Sequence, residues 1–168
     1  MSHKELRPED ITAVIDTREQ KPWSLTPLKT QRGTLATGDY SIAGLEREIA
    51  IERKSLPDLL GCIGGARKRF EEELERLQAY PTRCVIVECT YTDLEIGSWQ
   101  LGMGDVRSKV DPKAALGSVL GWIAAGIPFL FCGDADGASI AAARLMFIAA
   151  RRRFTELGGF YESLKLSS

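Results

Sequence analysis

Three acidic residues and one lysine lie at predicted strand ends: Asp16, Asp39, Glu52 and Lys54. Glu52 and Lys54 are two positions apart in a predicted strand, so their side chains point to the same side of the sheet. Asp39 lies on the preceding strand of a predicted hairpin, and Asp16 ends the first strand. Converging carboxylates bind Mg²⁺ or Mn²⁺ through oxygen. Lys54 could help to deprotonate a water held by the metal or could stabilise charge on a phosphate, so the pattern predicts metal-dependent phosphoester chemistry.

A structural explanation competes with this interpretation. An acidic residue followed by a Glu-x-Lys triplet occurs by chance in many chains. Without further support, the same residues would be a solvated strand edge with a surface ion pair, worth about 0 to 1 kcal/mol.

Several other catalytic classes are excluded by composition. The only histidine is His3, close to the N-terminus, so Ser-His-Asp, Cys-His and His-Glu-x-x-His catalysts have no imidazole to use. The cysteines have no paired spacing, which predicts small buried side chains rather than a zinc site; they are Cys62, Cys84, Cys89 and Cys132.

The first half of the chain predicts a strand, a loop and a hairpin. Residues 12–16 form a short β-rich run, and residues 17–33 carry Pro22 and Pro27 and are predicted to be mostly loop. Strands are predicted at 38–43 and 47–54, and Arg53 falls on the face of the second strand opposite Glu52 and Lys54.

Helices and two further strands follow this hairpin. Ser55 is the predicted cap of a short helix, and a longer helix is predicted from about 66 to 79. The remaining predictions are a buried strand at 83–89, a short helix at 94–101, a helix from Asp111 to about 125, a strand at 128–132 and a closing helix at 135–157. This order predicts an α/β fold with a mixed β-sheet flanked by helices.

Size and charge set the broad class. A chain of 168 residues predicts a single domain, 1–168. The net charge of -1 argues against a protein that grips nucleic acid over its whole surface, but not against a local basic face. With neither a membrane span nor an N-terminal signal segment in the sequence, a cytoplasmic protein without a membrane partner is expected.

Three segments together carry a family resemblance: IDTRE at 15–19, GDY at 38–40 and IERKSLPD at 51–58. In this order and spacing they resemble the XPF family of structure-specific endonucleases, whose signature is V-D-x-R-E, G-D-Y and E-R-K-x-x-x-D. Residues 64–67 and the helix around 73–77 are also similar to that family. The likeness is strong over the first half of the chain and rests on strand and helix order in the second half.

The resemblance implies a restriction-endonuclease-like α/β core and a metal-dependent DNA endonuclease. Asp39 and Glu52 would be the principal ligands of Mg²⁺ or Mn²⁺, and Asp16 a further ligand or a residue that holds water. Lys54 would be the catalytic lysine. DNA repair or recombination, with flap or branched DNA as substrate, would be the context.

Other motif positions are expected to support the site or contact phosphate: Arg18, Glu19, Arg53, Asp58 and Arg67. By its position on the strand, Arg53 is predicted to be scaffold or an ion-pair partner. For the basic cluster 67–69, phosphate contact and a solvated helix face are equally compatible with the sequence.

The sequence also departs from the family. Well-known cellular members carry a tandem helix-hairpin-helix module after the nuclease domain, and nothing up to Ser168 matches it. A stand-alone nuclease of bacterial or phage type is therefore expected, or one that works with a separate DNA-binding partner. Family domains commonly pair, so the Ala-rich helices at 114–125 and 138–150 predict either a homodimer surface or simple core packing. The rival function is a non-catalytic DNA-binding or scaffolding subunit.

Overall fold

The computed structural model describes residues 5–166, and the side chains of residues 5–164. A single 3-10 turn at Pro8–Asp10 precedes the sheet. The strands are β1 (Thr12–Asp16), β2 (Lys29–Gly33), β3 (Tyr40–Ile42), β4 (Ile49–Ser55), β5 (Thr82–Glu88) and β6 (Phe129–Phe131). The helices are α1 (Leu56–Ile63), α2 (Arg67–Gln78), α3 (Tyr91–Ile96), α4 (Pro112–Ala124) and α5 (Ala135–Leu166).

All six strands form one mixed sheet in the order β2-β1-β3-β4-β5-β6. β3 runs antiparallel to both β1 and β4, whereas β1–β2, β4–β5 and β5–β6 are parallel pairs. The antiparallel β3–β4 pair is the predicted hairpin. The prediction of a mixed sheet flanked by helices is therefore confirmed.

Two apolar clusters form around the sheet because the side chains of its strands alternate between its faces. Ile51 on β4 belongs to a cluster that includes Ala142 and Met146 of α5. Ala50, its neighbour on β4, belongs to a second cluster built with residues of α1, α2 and α4, such as Leu59 and Phe70. Glu52 and Lys54 follow the alternation of Ala50, so they point toward the α1–α2 side.

The structure corrects three predictions of secondary structure: one strand was missed, one helix was placed too late and one helix was predicted too short. Residues 29–33, predicted as loop, form β2, an exposed edge strand with the polar sequence KTQRG. α3 is earlier than predicted because Thr90 caps its start and Gly97, at φ 68°, ends it. α5 continues past 157 to Leu166, because a helix can run through Gly158 and Gly159 at a modest cost in stability.

Between residues 5 and 166, none of the helices combines the length and the apolar character that crossing a membrane requires.

Candidate active site

The hairpin holds Asp39 through the backbone of the neighbouring strand. Gly38 has φ 77°, and a Cβ there would lie 2.9 Å from the carbonyl oxygen of Ile51, so only glycine fits this turn. The Asp39 amide donates to the same carbonyl at 2.8 Å. One Asp39 carboxylate oxygen, Oδ2, accepts from the Arg53 amide at 2.8 Å. The strand backbone thereby fixes the position of Asp39.

Glu52 combines deep burial with an incomplete set of hydrogen bonds, since this carboxylate is only 3% exposed. Its Oε1 accepts a hydrogen bond from Lys54 Nζ, whereas Oε2 is buried without any hydrogen-bond partner. Burial, and then the negative charge of Asp39, raise the pKa of Glu52. A buried acceptor left unpaired costs about 1 to 3 kcal/mol, so the fold maintains this oxygen at a loss in stability.

Asp39 shows the same effect more weakly. Burial raises the pKa of Asp39 to about 6, although the hydrogen bond from Arg53 and the charge of Lys54 oppose the rise. Burial opposes the ionisation of both carboxyl groups, and the charge of Asp39 adds to this effect at Glu52, so a cation bound between them would stabilise their ionised forms.

Lys54 provides the positive charge of this cluster and is 12% exposed. Burial disfavours its charged form, but the adjacent Glu52 carboxylate outweighs that cost and raises the pKa of Lys54. Nζ lies 4.0 Å from Glu73 and 4.9 Å from the centre of the Phe70 ring. Lys54 is therefore a fixed cation rather than a proton acceptor near neutral pH.

Asp16 is differently arranged, since its side chain is 1% exposed. Oδ1 accepts from the amide and from Nε of Arg18, at 2.9 and 2.6 Å, and Oδ2 accepts from the Leu35 amide at 2.8 Å. Burial alone would raise the pKa of Asp16, but these hydrogen bonds lower it overall. Both oxygens already serve protein donors, so the predicted role as a metal ligand would require a rearrangement of these bonds.

Arg53 is the centre of a network on the opposite face of β4. It donates to Glu88 at 2.8 Å and to Glu19 at 3.1 Å, and it also bonds the carbonyl of Lys21. Its guanidinium lies 5.4 Å from the centre of the Trp23 ring, and Trp23 donates to Glu88 at 2.7 Å. These contacts are those of the scaffold residue that the strand position predicts. Sequence reasoning missed Glu88, whose only signal is an acidic residue at the end of an apolar strand.

The remaining predicted residues divide into two groups. Arg18, with a side chain 71% exposed, lines the cleft together with Glu19 and Asp58. Asp58 also accepts from the Ser55 hydroxyl at 2.6 Å at the start of α1. Arg67 does not line the cleft.

Arg67 makes its contacts outside the cleft, with residues of α2 and α4. It bonds Glu71 at 2.9 Å and Ser118 at 2.8 Å, and it lies over the ring of Trp122. The cluster 67–69 is thus divided, because Arg69 does line the cleft, as does Glu73 one helical turn later. Arg69 and Glu73 are four residues apart on α2, and this spacing could have predicted from the sequence that they lie on the same face of the helix.

Asp39, Glu52 and Lys54 line an open cleft of about 580 Å³, whereas Asp16 is not among the residues that line it. Within the described part of the chain, no three side chains of the types His, Cys, Asp and Glu are grouped as a ready-made metal cage. Two carboxylates are nevertheless what Mg²⁺ commonly takes from a protein, since it keeps waters and substrate phosphates as its other ligands. Asp39 and Glu52, with its unpaired oxygen, fit that requirement.

Comparison with known proteins agrees with this fold. The sequence model of the ERCC4 domain matches residues 15–137. XPF from Aeropyrum pernix has 20% sequence identity and a TM-score of 0.63, over 82% of this chain and 61% of that chain. XPF from Aeropyrum pernix in complex with DNA has 20% identity and a TM-score of 0.64, over 87% of this chain and 66% of that chain.

The chain thus spans less than two thirds of the length of these two solved structures. No curated protein sequence matches it. The family match covers most of the chain, including all four positions with predicted catalytic roles. The chain therefore belongs to the ERCC4 domain family, and its mixed six-stranded sheet with flanking helices is the fold that it shares with XPF.

Proposed function

We propose that this chain is a DNA endonuclease that hydrolyses phosphodiester bonds with Mg²⁺ or Mn²⁺. The observation that carries the proposal is Glu52, a buried carboxylate with one oxygen unpaired, next to Asp39 and bonded to Lys54. A structural ion pair would satisfy both oxygens, whereas a ligand site keeps one available. Membership of the ERCC4 domain family supports the same interpretation.

In the proposed mechanism Asp39 and Glu52 hold the metal. When bound, the metal supplies Lewis acid activation of water and of the phosphoryl group. The Arg53 amide keeps Asp39 oriented through Oδ2, and Asp16 stabilises the adjoining backbone through its bonds to Arg18 and Leu35.

Lys54 acts as a cation in this mechanism. Its raised pKa favours stabilisation of negative charge on the phosphate over removal of a proton from water. Arg18 and Arg69, at the rim of the cleft, are placed to contact neighbouring phosphates.

The finer proposal is activity on flap or branched DNA, either as a homodimer or with a separate DNA-binding partner. The small residues of α4 and α5, such as Ala115 and Ala142, pack into the core. Larger side chains remain exposed on the same helices, including Leu120, Ile123 and Ile148, and they support the pairing alternative. Sedimentation velocity distinguishes a monomer from a homodimer.

The test is cleavage of labelled flap, fork, duplex and single-stranded DNA with Mg²⁺, Mn²⁺ or EDTA. Asp39→Asn and Glu52→Gln are expected to cleave at least about 100-fold more slowly than the wild type, because each removes a metal-ligand charge. Glu46→Gln, an exposed acid outside the cleft, is the matched control and should cleave normally. Folded Asp39→Asn protein with wild-type cleavage would contradict the proposal.

A non-catalytic DNA-binding subunit is the second candidate. The occupied oxygens of Asp16, and the lack of a three-ligand cage among residues 5–164, favour it. DNA binding by the folded wild type, with no cleavage of any substrate in either metal, would support this alternative.

A further inference from the structure

A second depression with a basic lining lies outside the cleft. It is a groove of about 500 Å³ between the C-terminal end of α1, with the glycine-rich turn after it, and the extended segment 106–110. Two of its lining residues, Arg107 and Lys109, are cationic, and none of its lining residues is acidic. The groove therefore has the charge that suits an anionic ligand.

The two cations are available for a ligand. Both side chains are exposed, and among the residues that the structure describes neither forms an ion pair with a carboxylate. Arg107 donates from Nη1 to two carbonyls of its own loop, those of Gly104 and Val106. These bonds orient the guanidinium without neutralising it.

The opposite wall combines the side chains of Pro57 and Leu60 with three glycines. Gly61, Gly64 and Gly65 line it, so a ligand can approach the backbone closely. A Cβ placed on Gly65 would meet nothing within 4 Å. This wall is open, and a side chain added there would project into free space.

The groove continues into the cleft of the proposed active site. A smaller depression shares Pro57 and Gly61 with the groove, and it shares two basic and two acidic residues with the cleft: Lys54, Arg69, Asp58 and Glu73. Three adjoining depressions thus lead from Glu52 and Lys54, past Arg69, to Arg107 and Lys109. A chain of regularly spaced negative charges could follow all three.

We propose that a single strand of the DNA substrate lies along this groove, with its phosphates against Arg107 and Lys109. Open, positively charged grooves of this kind track the backbone of single strands without reading sequence. The identity of the ligand as DNA rests on the proposed endonuclease function, but the groove can be tested without any cleavage.

The test measures binding of a fluorescent single-stranded oligonucleotide in EDTA as a function of salt. The double variant Arg107→Ala/Lys109→Ala should bind at least about fivefold more weakly at low salt, and the negative slope of log Kobs against log salt should become shallower by about 1.4. Its matched control, Arg47→Ala/Lys29→Ala, removes one arginine and one lysine that are also exposed but lie outside the groove.

A second pair of variants tests the glycine wall. Gly65→Glu adds a negative charge to the groove without steric conflict, and Gly65→Gln adds the same bulk without charge. We expect the glutamate variant to bind the strand several-fold more weakly than the glutamine variant.

The outcomes separate the two proposals. Equal affinities for the groove variants and their controls would overturn the proposal that the groove binds a DNA strand. If the groove variants lose affinity but the wild type cleaves no DNA, the proposed strand-binding groove would stand and only the proposed endonuclease activity would be overturned. Both effects in an active enzyme support both proposals.

Discussion

At the scale of single residues, the main feature of the site is that its two carboxylates, Asp39 and Glu52, are acidic side chains held in a half-buried and a buried position. Burial raises the pKa values of Asp39 and Glu52, and the charge of Asp39 raises that of Glu52 further, so the ionised carboxylates destabilise the folded protein. A folded group with a raised pKa contributes stability below its unfolded pKa and loses that contribution as the pH rises through its folded pKa. For Asp39 this window runs from its ordinary value of 3.8 to about 6.

Asp39→Asn should therefore stabilise the metal-free protein above pH 6. The asparagine can retain the hydrogen bond from the Arg53 amide while removing the charge that raises the pKa of Glu52. We expect the free energy of unfolding in EDTA at pH 7.5 to increase by about 1 to 2 kcal/mol, or a rise in Tm of a few degrees.

Thermal melts at pH 4 and pH 7.5, with EDTA or Mg²⁺, would check this expectation. The gain should vanish at pH 4, where wild-type Asp39 is largely protonated. Mg²⁺ should raise the Tm of the wild type but not of the variant, since a ligand stabilises only the protein that binds it. A variant less stable than the wild type in EDTA at pH 7.5 would contradict the account.

Residue patterns predicted part of this geometry. The two-residue period of a strand was enough to place Glu52 with Lys54 and to place Arg53 on the other side. It could not reveal that Asp16 is surrounded by donors, because the Leu35 amide comes from a position 19 residues later in the chain. The catalytic roles themselves stay predictions.

At the scale of elements, Arg53 connects β4, the end of β5 and the loop after β1. Its partners Glu19 and Glu88 have side chains that are 13% and 11% exposed, so neither carboxylate is well solvated without it. The network thereby ties residues 19–23 to the sheet beside the cleft. Removing its only guanidinium would leave two partly buried negative charges close together.

Arg53→Ala should lower the free energy of unfolding by about 3 kcal/mol, measured by urea denaturation. Arg47→Ala, which removes an exposed arginine, is the control and should change stability by less than about 0.5 kcal/mol. Adding Glu88→Gln to Arg53→Ala should recover part of the loss, since one of the stranded charges disappears. Additive effects of the two substitutions would show that the pair is not coupled.

The elements that sequence reasoning found are those with strong apolar signals. β5 and α2 bury regular apolar positions, and their predicted bounds were close to the observed ones. β2 was missed because it is polar and exposed, and it is held at the sheet edge by backbone pairing with β1 rather than by side-chain burial. Backbone pairing of this kind requires no alternation of apolar and polar residues, so the sequence contains no periodic pattern that would predict the strand.

At the scale of the whole molecule, charge distribution matters more than total charge. The net charge is -1, and the cleft is lined by five acidic and five basic residues. When all of these carboxylates are ionised, the proposed active site therefore has no net attraction for a phosphate backbone until a cation binds. Sequence composition was compatible with a local basic face, but it could not show that the acids and bases of the cleft balance in number.

Under the proposed function, this balance predicts that DNA affinity depends on Asp39 in opposite directions with and without metal. In EDTA, Asp39→Asn should bind DNA about threefold to tenfold more tightly than the wild type, because it removes one negative charge beside the phosphates. Ca²⁺, added as a hard oxygen-binding cation, should strengthen binding by the wild type and leave the variant nearly unchanged. Fluorescence anisotropy at fixed ionic strength measures both effects. Glu46→Gln removes an equal charge outside the cleft, so an identical gain in affinity for that control would show that only net charge matters and that Asp39 has no special place next to the DNA.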